Sequence, residues 1–303
     1  MAAGAPRRVL RYTGARDRGG AFVVTEEPPR TVEADQVLVR CVCAVVDLEP
    51  LWITRVPGVP VASFLGRVVE SASPDGPDPG ALVVGTGPLG EVVAVRRESV
   101  WTVAGEMPPE HLALLPQAAA VLKAVGEAGI RMGDRVVISG GGVAAGLAME
   151  VARLYAGRWP ETMPAASSRH STPGSPDAGA CDVLIDTTAD AAAWAWRLGL
   201  LRVQGVALLL LPPGVWVHAF DFYPMVHRRS LSLLVRRVPE ADGRPAATDA
   251  ITTAGRLIRQ GIPTVGERFY TVRLPGGAAG ADVINLTGMG DAAGLLCRFE
   301  GPG

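Results

Sequence analysis

Along the first hundred residues the apolar positions fall in short, Val-rich runs broken by Gly, Pro and Asp. "RRVLRYTG", "AFVVTEE", "DQVLVRCVCAVV", "FLGRVVESA", "ALVVGTG" and "GEVVAVRRESV" follow one another. Such runs predict the strands of a small antiparallel barrel or sandwich. "SPDGPDPG" (73–80) predicts a turn or loop between two of them. The spacing changes near 108. "PPEHLALLPQAAAVLKAVGEAG" opens on Pro108 and Pro109 and continues in helix-forming residues. "GDRVVISG" (133–140) predicts a turn and a short strand, and "GLAMEVARLYAG" (146–157) a helix closed by Gly157. "CDVLIDTT" (181–188) predicts a buried strand, and "ADAAAWAWRLGLLRVQG" a helix with Asp190 near its start. "VALLLLPPG" and "LSLLVRRV" (231–238) predict two more strands, "ATDAITTAGRLIRQG" a helix, and the chain closes in a strand. A β-rich first part therefore precedes an alternating β/α part, and alternation implies a parallel sheet with helices on its faces.

Composition narrows the function more than the fold. With 303 residues, 48% of them hydrophobic, the chain can bury a sizeable core in one large domain or two. Lys+Arg 29 against Asp+Glu 30 gives a net charge of −1, so no basic surplus points to nucleic acid or an anionic membrane. Lys123 is the single lysine, a bias that fits a GC-rich bacterial genome. No apolar run approaches ~20 residues, so no membrane span is expected. "MAAGAPRRVLRYTG" lacks the apolar core of a signal peptide, so a cytoplasmic location is expected. Cys41, Cys43, Cys181 and Cys297 form no Cys-x-x-Cys pair and read as buried free thiols. No G-x-S-x-G elbow, H-E-x-x-H helix or phosphate-binding G-x-x-x-x-G-K-[ST] loop is present.

The chemistry-bearing motif is "VVISGGGVAAG" (136–146). Gly140, Gly142 and Ala145 match G-x-G-x-x-G/A between a strand and a helix. Gly140 permits the tight turn, Gly142 the approach of a pyrophosphate, and Ala145 close packing of helix on strand. A helix N-terminus supplies N–H groups and partial positive charge. The same turn also serves packing alone. The stretch beyond its helix is short. Only residues 158–180 separate Gly157 from the strand at Cys181. Two further strands of ~5 residues and two helices of ~11 would need at least ~32. "RWPETMPAASSRHSTPGSPDAGA" allows at most a remnant strand in "ETMPAAS", with Pro164 opposed to a central position.

The order of these segments resembles the medium-chain dehydrogenase/reductase superfamily, the alcohol dehydrogenase and quinone reductase group. "DQVLVRCVCAVVDLEPLW", "VASFLGRVVES", "GIRMGDRVVISGGGVAAGLAMEVARLYAG", "CDVLIDTT", "GVALLLLPPG" and "HRRSLSLLVRR" carry the likeness over nearly the whole chain. The resemblance implies an α/β protein with an N-terminal GroES-like β-barrel domain (1–108). A Rossmann-like parallel sheet domain (109–262), here truncated, would follow, and 263–303 would return to the first domain. It implies a homodimer through the edge strand 231–238. It also implies nicotinamide contacts at Thr187 and Thr188, which end a strand where α/β sheets bind ligands.

The departures sharpen the expectation. Laying the family's "GHEFAG" on the chain gives Val61-Ala62-Ser63-Phe64-Leu65-Gly66, and the zinc-cysteine position falls near Val46. These side chains cannot supply the three ligands of a catalytic zinc, so no metal is expected. If the remnant strand forms, Ser168 and Arg169 follow it and either hold a 2′-phosphate, which selects NADP(H), or lie in a solvated loop. Asp47 lies either in a cleft or as a turn cap. Tyr223, His218 and Asp221, in "GVWVHAFDFYPMVHRR", are candidate proton donors or part of a packed loop. The leading expectation is a zinc-independent bacterial biosynthetic oxidoreductase acting on a small molecule. It would pass hydride between NADP(H) and a carbonyl or activated alkene. The alternatives are a cofactor-free relative catalysing cyclisation, elimination or isomerisation, and a non-catalytic scaffold subunit.

Overall fold

Strand β3 (Gln36–Asp47) is the longest among the described residues, and two register shifts along its pairing with β4 (Val61–Ser71) decide what each face carries. Opposite Leu38 and Val39 the partner residue steps from Glu70 to Val68, so Val69 is an extra residue on β4. Opposite Gly66 and Leu65 the pairing steps from Cys41 to Cys43, so Val42 is an extra residue on β3. Bulge residues drop out of the ladder. Val42 and Val69 are accordingly 36% and 39% exposed, in strands otherwise rich in buried valine. A regular strand would put Cys41 and Cys43 on one face. The bulge turns Cys41, Ala44 and Val46 into the barrel core and leaves Cys43, Val45 and Asp47 on the other face.

The computed structural model describes residues 7–14, 21–28, 31–49, 51, 57–104, 106–163, 179–188, 190–211, 222–238, 248–260, 269–274, 283–285 and 294–299. The chain divides into two compact units, Met1–Ala119 with Pro239–Gly303, and Ala120–Val238. In the first unit β1 (Arg7–Tyr12), β2 (Ala21–Glu27) and β14 (Val283–Asn285) form one antiparallel sheet. A larger sheet runs β13 (Phe269–Leu274), β15 (Gly294–Phe299), β3, β4, β5 (Leu82–Pro88) and β7 (Val100–Thr102), with β6 (Val92–Arg96) also on β3. Leu10, Phe22, Val39, Phe64, Val83 and Leu295 pack between them. Helix α1 (Pro109–Glu127) starts in this unit, where the Pro109 carbonyl accepts from the Cys43 thiol at 3.3 Å.

The second unit holds the parallel sheet, in the order β12 (Ser232–Arg237), β11 (Leu201–Leu211), β10 (Cys181–Asp186), β8 (Val136–Ser139) and β9 (Glu161–Met163). Helix α2 (Val143–Ala156) ends at Gly157 in the left-handed conformation, as its position suggests. It starts three residues earlier than the periodicity predicts, directly after Gly142. Helix α3 (Ala191–Gly199) is shorter than predicted: Leu201 to Gly205, read from sequence as helix, open β11. Leu201 pairs Cys181 and is fully buried, so tertiary pairing overrides local propensity there. Helix α4 (Thr248–Arg259) belongs to the first unit. The predicted remnant strand is present as β9, three residues at one end of the described sheet. No helix among the described residues is long and apolar enough to cross a membrane.

All four cysteines are free and buried. Burial pushes the thiols of Cys43, Cys181 and Cys297 up to about 12, and that of Cys41 up as well, from an ordinary value near 9. The native protein should therefore be inert to a thiol reagent at pH 8, and unfolded protein should titrate all four thiols. Because the folded thiols hold their protons more tightly, this contribution to stability is complete below pH 9. It is lost as pH rises from 9 toward 12. A urea series across that range checks the sign.

Candidate nucleotide-type site at the strand ends

The strands of the parallel sheet separate charge by edge. At the amino edge Arg135 makes two bonds to Glu161, 2.7 and 2.8 Å, and its backbone N–H donates to Asp182 at 2.7 Å. Asp182 also pairs Arg202. These contacts join the starts of β8, β9, β10 and β11. The Arg135 bonds hold the Glu161 carboxyl below its usual range. Glu161 is thus a structural partner at the wrong end of β9 for a ribose contact.

The carboxyl edge carries the glycine turn. Gly140 has φ 125°, a conformation that favours glycine, and its N–H donates to the Met163 carbonyl of β9 at 3.2 Å. Gly142 is the N-cap of α2 and brings no capping side chain of its own, and the first turn of the helix holds no acidic residue. Ala145 is buried, as close packing of the helix requires. The chain runs from β8 to β9 on one side and reaches β10 on the other, so the topological switch point lies between β8 and β10. Thr187 closes this gap: its N–H and hydroxyl both donate to the Ser139 carbonyl, at 3.0 and 3.1 Å.

Beside it lies a buried ion pair that local sequence pattern does not announce. Arg197 of α3 donates to Asp186 at 2.7 Å, with side chains 1% and 3% exposed. The Thr188 N–H and hydroxyl each donate to the other Asp186 oxygen at 2.8 Å, and the Thr188 hydroxyl accepts from Arg197 at 2.5 Å. The N–H and hydroxyl groups of both threonines are therefore engaged inside the protein. Ser139, paired with Asp186 across the sheet, is fully buried, and its hydroxyl has no hydrogen-bond partner among the described residues.

A phosphate fits this edge. The turn needs glycine, the cap residue has no side chain, the first turn holds no acid, and the buried Ser139 hydroxyl is left over beside it. Ser168, Arg169, His218 and Asp221 lie outside the described residues. Tyr223 is described, in a one-turn helix (Phe222–Met225), and is 62% exposed with its ring 5.3 Å from that of His227. Asp47 ends β3 in the first unit, where its carboxylate accepts from the Glu49 N–H at 3.2 Å, the geometry of a turn cap. No three His, Cys, Asp or Glu side chains come together as a metal site among the described residues. Sequence reading missed Arg197 and Ser139; a buried arginine on an alanine- and tryptophan-rich helix was the available signal.

No protein-family model matches the chain, and no curated protein matches it in sequence. Solved structures do match. The alcohol dehydrogenase TADH from Thermus sp. ATN1 superposes with TM-score 0.66 at 16% identity, covering 97% of this chain and 100% of that one. A protein described as a zinc-binding dehydrogenase from Sinorhizobium meliloti 1021, bound to NADP, gives TM-score 0.62 at 18% identity over 97% and 99%. A protein described as a short chain alcohol dehydrogenase (rspB) from E. coli CFT073, complexed with NADH, gives 0.65 at 11% over 98% and 100%. The chain has the two-domain fold of the medium-chain dehydrogenases, GroES-like and Rossmann-like.

Removing one partner of a buried ion pair strands the other charge. Arg197→Met should cost about 3–5 kcal/mol of stability. The double variant Asp186→Leu/Arg197→Met should recover most of that loss. Urea unfolding of the two variants beside the parent measures both effects.

Proposed function

We propose that this chain is a zinc-independent oxidoreductase that passes hydride between NADP(H) and a carbonyl or activated alkene. The observation that carries the reading is the carboxyl edge of the parallel sheet. There Gly140, Gly142 and Ala145 place a glycine-capped helix start, with no acid in its first turn, against the switch point between β8 and β10. Gly140 and Gly142 would let a pyrophosphate approach the backbone, and the helix start would favour its charge. Ser168 and Arg169 would hold the 2′-phosphate, and the bound nicotinamide supplies the hydride. Two of the structurally similar dehydrogenases were solved with NADP or NADH, which agrees with this assignment. Zinc independence rests on Val61, Ala62 and Ser63, whose side chains make no catalytic zinc site. Strand β12, paired only with β11 among the described residues, leaves an edge on which a second copy would dock, and the reading includes a cytoplasmic homodimer.

A second reading keeps the fold without the cofactor and assigns the chain a non-redox step such as isomerisation. The three-residue β9 and the inward commitment of Thr187 and Thr188 favour it.

Calorimetric titration separates the two. NADPH should bind, Gly142→Asp should weaken it at least about tenfold by placing a carboxylate at the helix start, and Arg169→Ala should weaken NADPH but not NADH. No binding at millimolar NADPH would sink the redox reading, and an unchanged NADPH affinity in Arg169→Ala would remove the 2′-phosphate assignment.

A further inference from the structure

Contiguous exposed apolar surface marks a place where another surface docks, and the second unit gathers four large apolar side chains in one such patch. Met132 lies in the turn that leads into β8, Leu154 and Tyr155 in the last turn of α2, and Trp159 between α2 and β9. Met132 is 79% exposed and Trp159 56%, and Leu154 and Tyr155 are exposed as well. The fold brings them together. The Gly133 N–H donates to the Ala156 carbonyl at 2.9 Å and ties the two turns. The Met132 side chain lies against Gly157, where any Cβ would collide with it. Tyr155 reaches over Gly126 near the end of α1, its Oη 3.3 Å from the place a Cβ would take. The Arg153 guanidinium stands 4.6 Å from the centre of the Trp159 ring and steadies the indole by a cation–π contact. Arg131 and Arg158, each one residue before an apolar member, are exposed, and neither guanidinium makes a hydrogen bond or ion pair among the described residues. The carboxylates around them are already engaged. Asp134 accepts from the Arg131 N–H at 2.8 Å, Glu150 pairs Arg153 at 3.3 Å, and Glu127, Glu161 and Asp182 pair Arg236, Arg135 and Arg202.

We propose that this patch is the docking surface for an acidic, amphipathic segment of another protein. Trp, Tyr, Met and Arg are the residue types that interfaces concentrate, and Trp, Tyr and Arg carry most of their hot spots. Here all four types meet, with the indole already held in place by Arg153. Leucine or phenylalanine side chains of the segment would cover Met132, Leu154, Tyr155 and Trp159. Its Asp or Glu side chains would pair Arg131 and Arg158, whose neighbouring carboxylates are taken. Charge decides against the other occupants. A second copy seated patch to patch would set arginine against arginine across a two-fold axis. Two arginines are also too few for an anionic bilayer, which recruits clusters of about four or more basic residues. The patch sits at the amino edge of the parallel sheet, where β8 and β9 begin. The glycine turn lies at the carboxyl edge, so a docked segment leaves it open. The inference does not depend on the chemistry proposed above.

The test uses a random dodecapeptide library on phage, first depleted on the double variant Met132→Ser/Trp159→Ser and then panned on the parent. Both substitutions lie on the surface, so this variant should melt within about 2 °C of the parent. Recovered peptides should combine Asp or Glu with Leu, Phe or Trp. Titrated as synthetic peptides, they should bind the depleting variant at least about tenfold more weakly than the parent. Arg131→Glu/Arg158→Glu should weaken the same peptides about tenfold and remove most of the salt dependence of binding. A library that yields no binder overturns the inference, as do peptides without acidic residues and an unchanged affinity in the arginine variant. A dimer that Met132→Ser/Trp159→Ser converts to monomer, measured by sedimentation, also overturns it, because a second copy then covers the patch. Phosphatidylglycerol vesicles that bind the parent and not the same variant overturn it in favour of a lipid surface.

Discussion

A carboxylate in the interior of a sheet must be matched by charge and hydrogen bonds, and Asp186 imposes that demand on the second unit. One oxygen takes the Arg197 guanidinium and the other takes the N–H and hydroxyl of Thr188. These bonds fix where α3 lies on the sheet and how the chain leaves β10. Thr187, next in the chain, then reaches the Ser139 carbonyl of β8. A single buried charge thereby determines the shape of the strand ends at the switch point. The small cavity lined by Leu184, Asp186, Trp194 and Leu209 lies beside the same pair. Replacing such a pair by apolar side chains is often no less stable, so the charges are better understood as fixing geometry than as supplying net stability.

The two edges of the sheet divide the work. At the amino edge Glu161, Arg135, Asp182 and Arg202 form a partly exposed chain of ion pairs, each worth little by itself. Their position matters more than their strength, because they tie the three-residue β9 to the sheet. At the carboxyl edge the buried Asp186 carboxylate is neutralised by Arg197. An anion arriving at the start of α2 would meet glycine, backbone and hydroxyl there.

Most elements were legible because their apolar patterns are strong: the Val-rich strands and the Gly157 stop follow from local sequence, which allowed the strand at Glu161 only as a remnant. The start of β11 was not. Leu201 to Gly205 continue a helical pattern, and only pairing with Cys181 makes them strand. Arg197 was missed because its partner lies eleven residues earlier, on a different element. The faces of β3 were hidden for a subtler reason. Alternation alone would put Cys41 and Cys43 on one face, and a single extra residue in β3 reverses that. One-residue offsets leave almost no trace in composition, yet they choose which side chains reach a site.

The glycine turn shows the limit of a motif in the same terms. Gly140 is needed at φ 125° whether or not a dinucleotide binds, because its N–H closes onto Met163 as the chain turns from β8. Ala145 is needed to bring α2 against the sheet. Two of the three motif positions are therefore accounted for by the fold. Gly142 is different, since a serine or aspartate would cap α2 better than glycine does. Glycine there brings no side-chain oxygen of its own to the helix start, where partial positive charge favours an anion. The case for a phosphate therefore comes less from the spacing of the glycines than from the side chain missing at the one position where capping would have favoured having it.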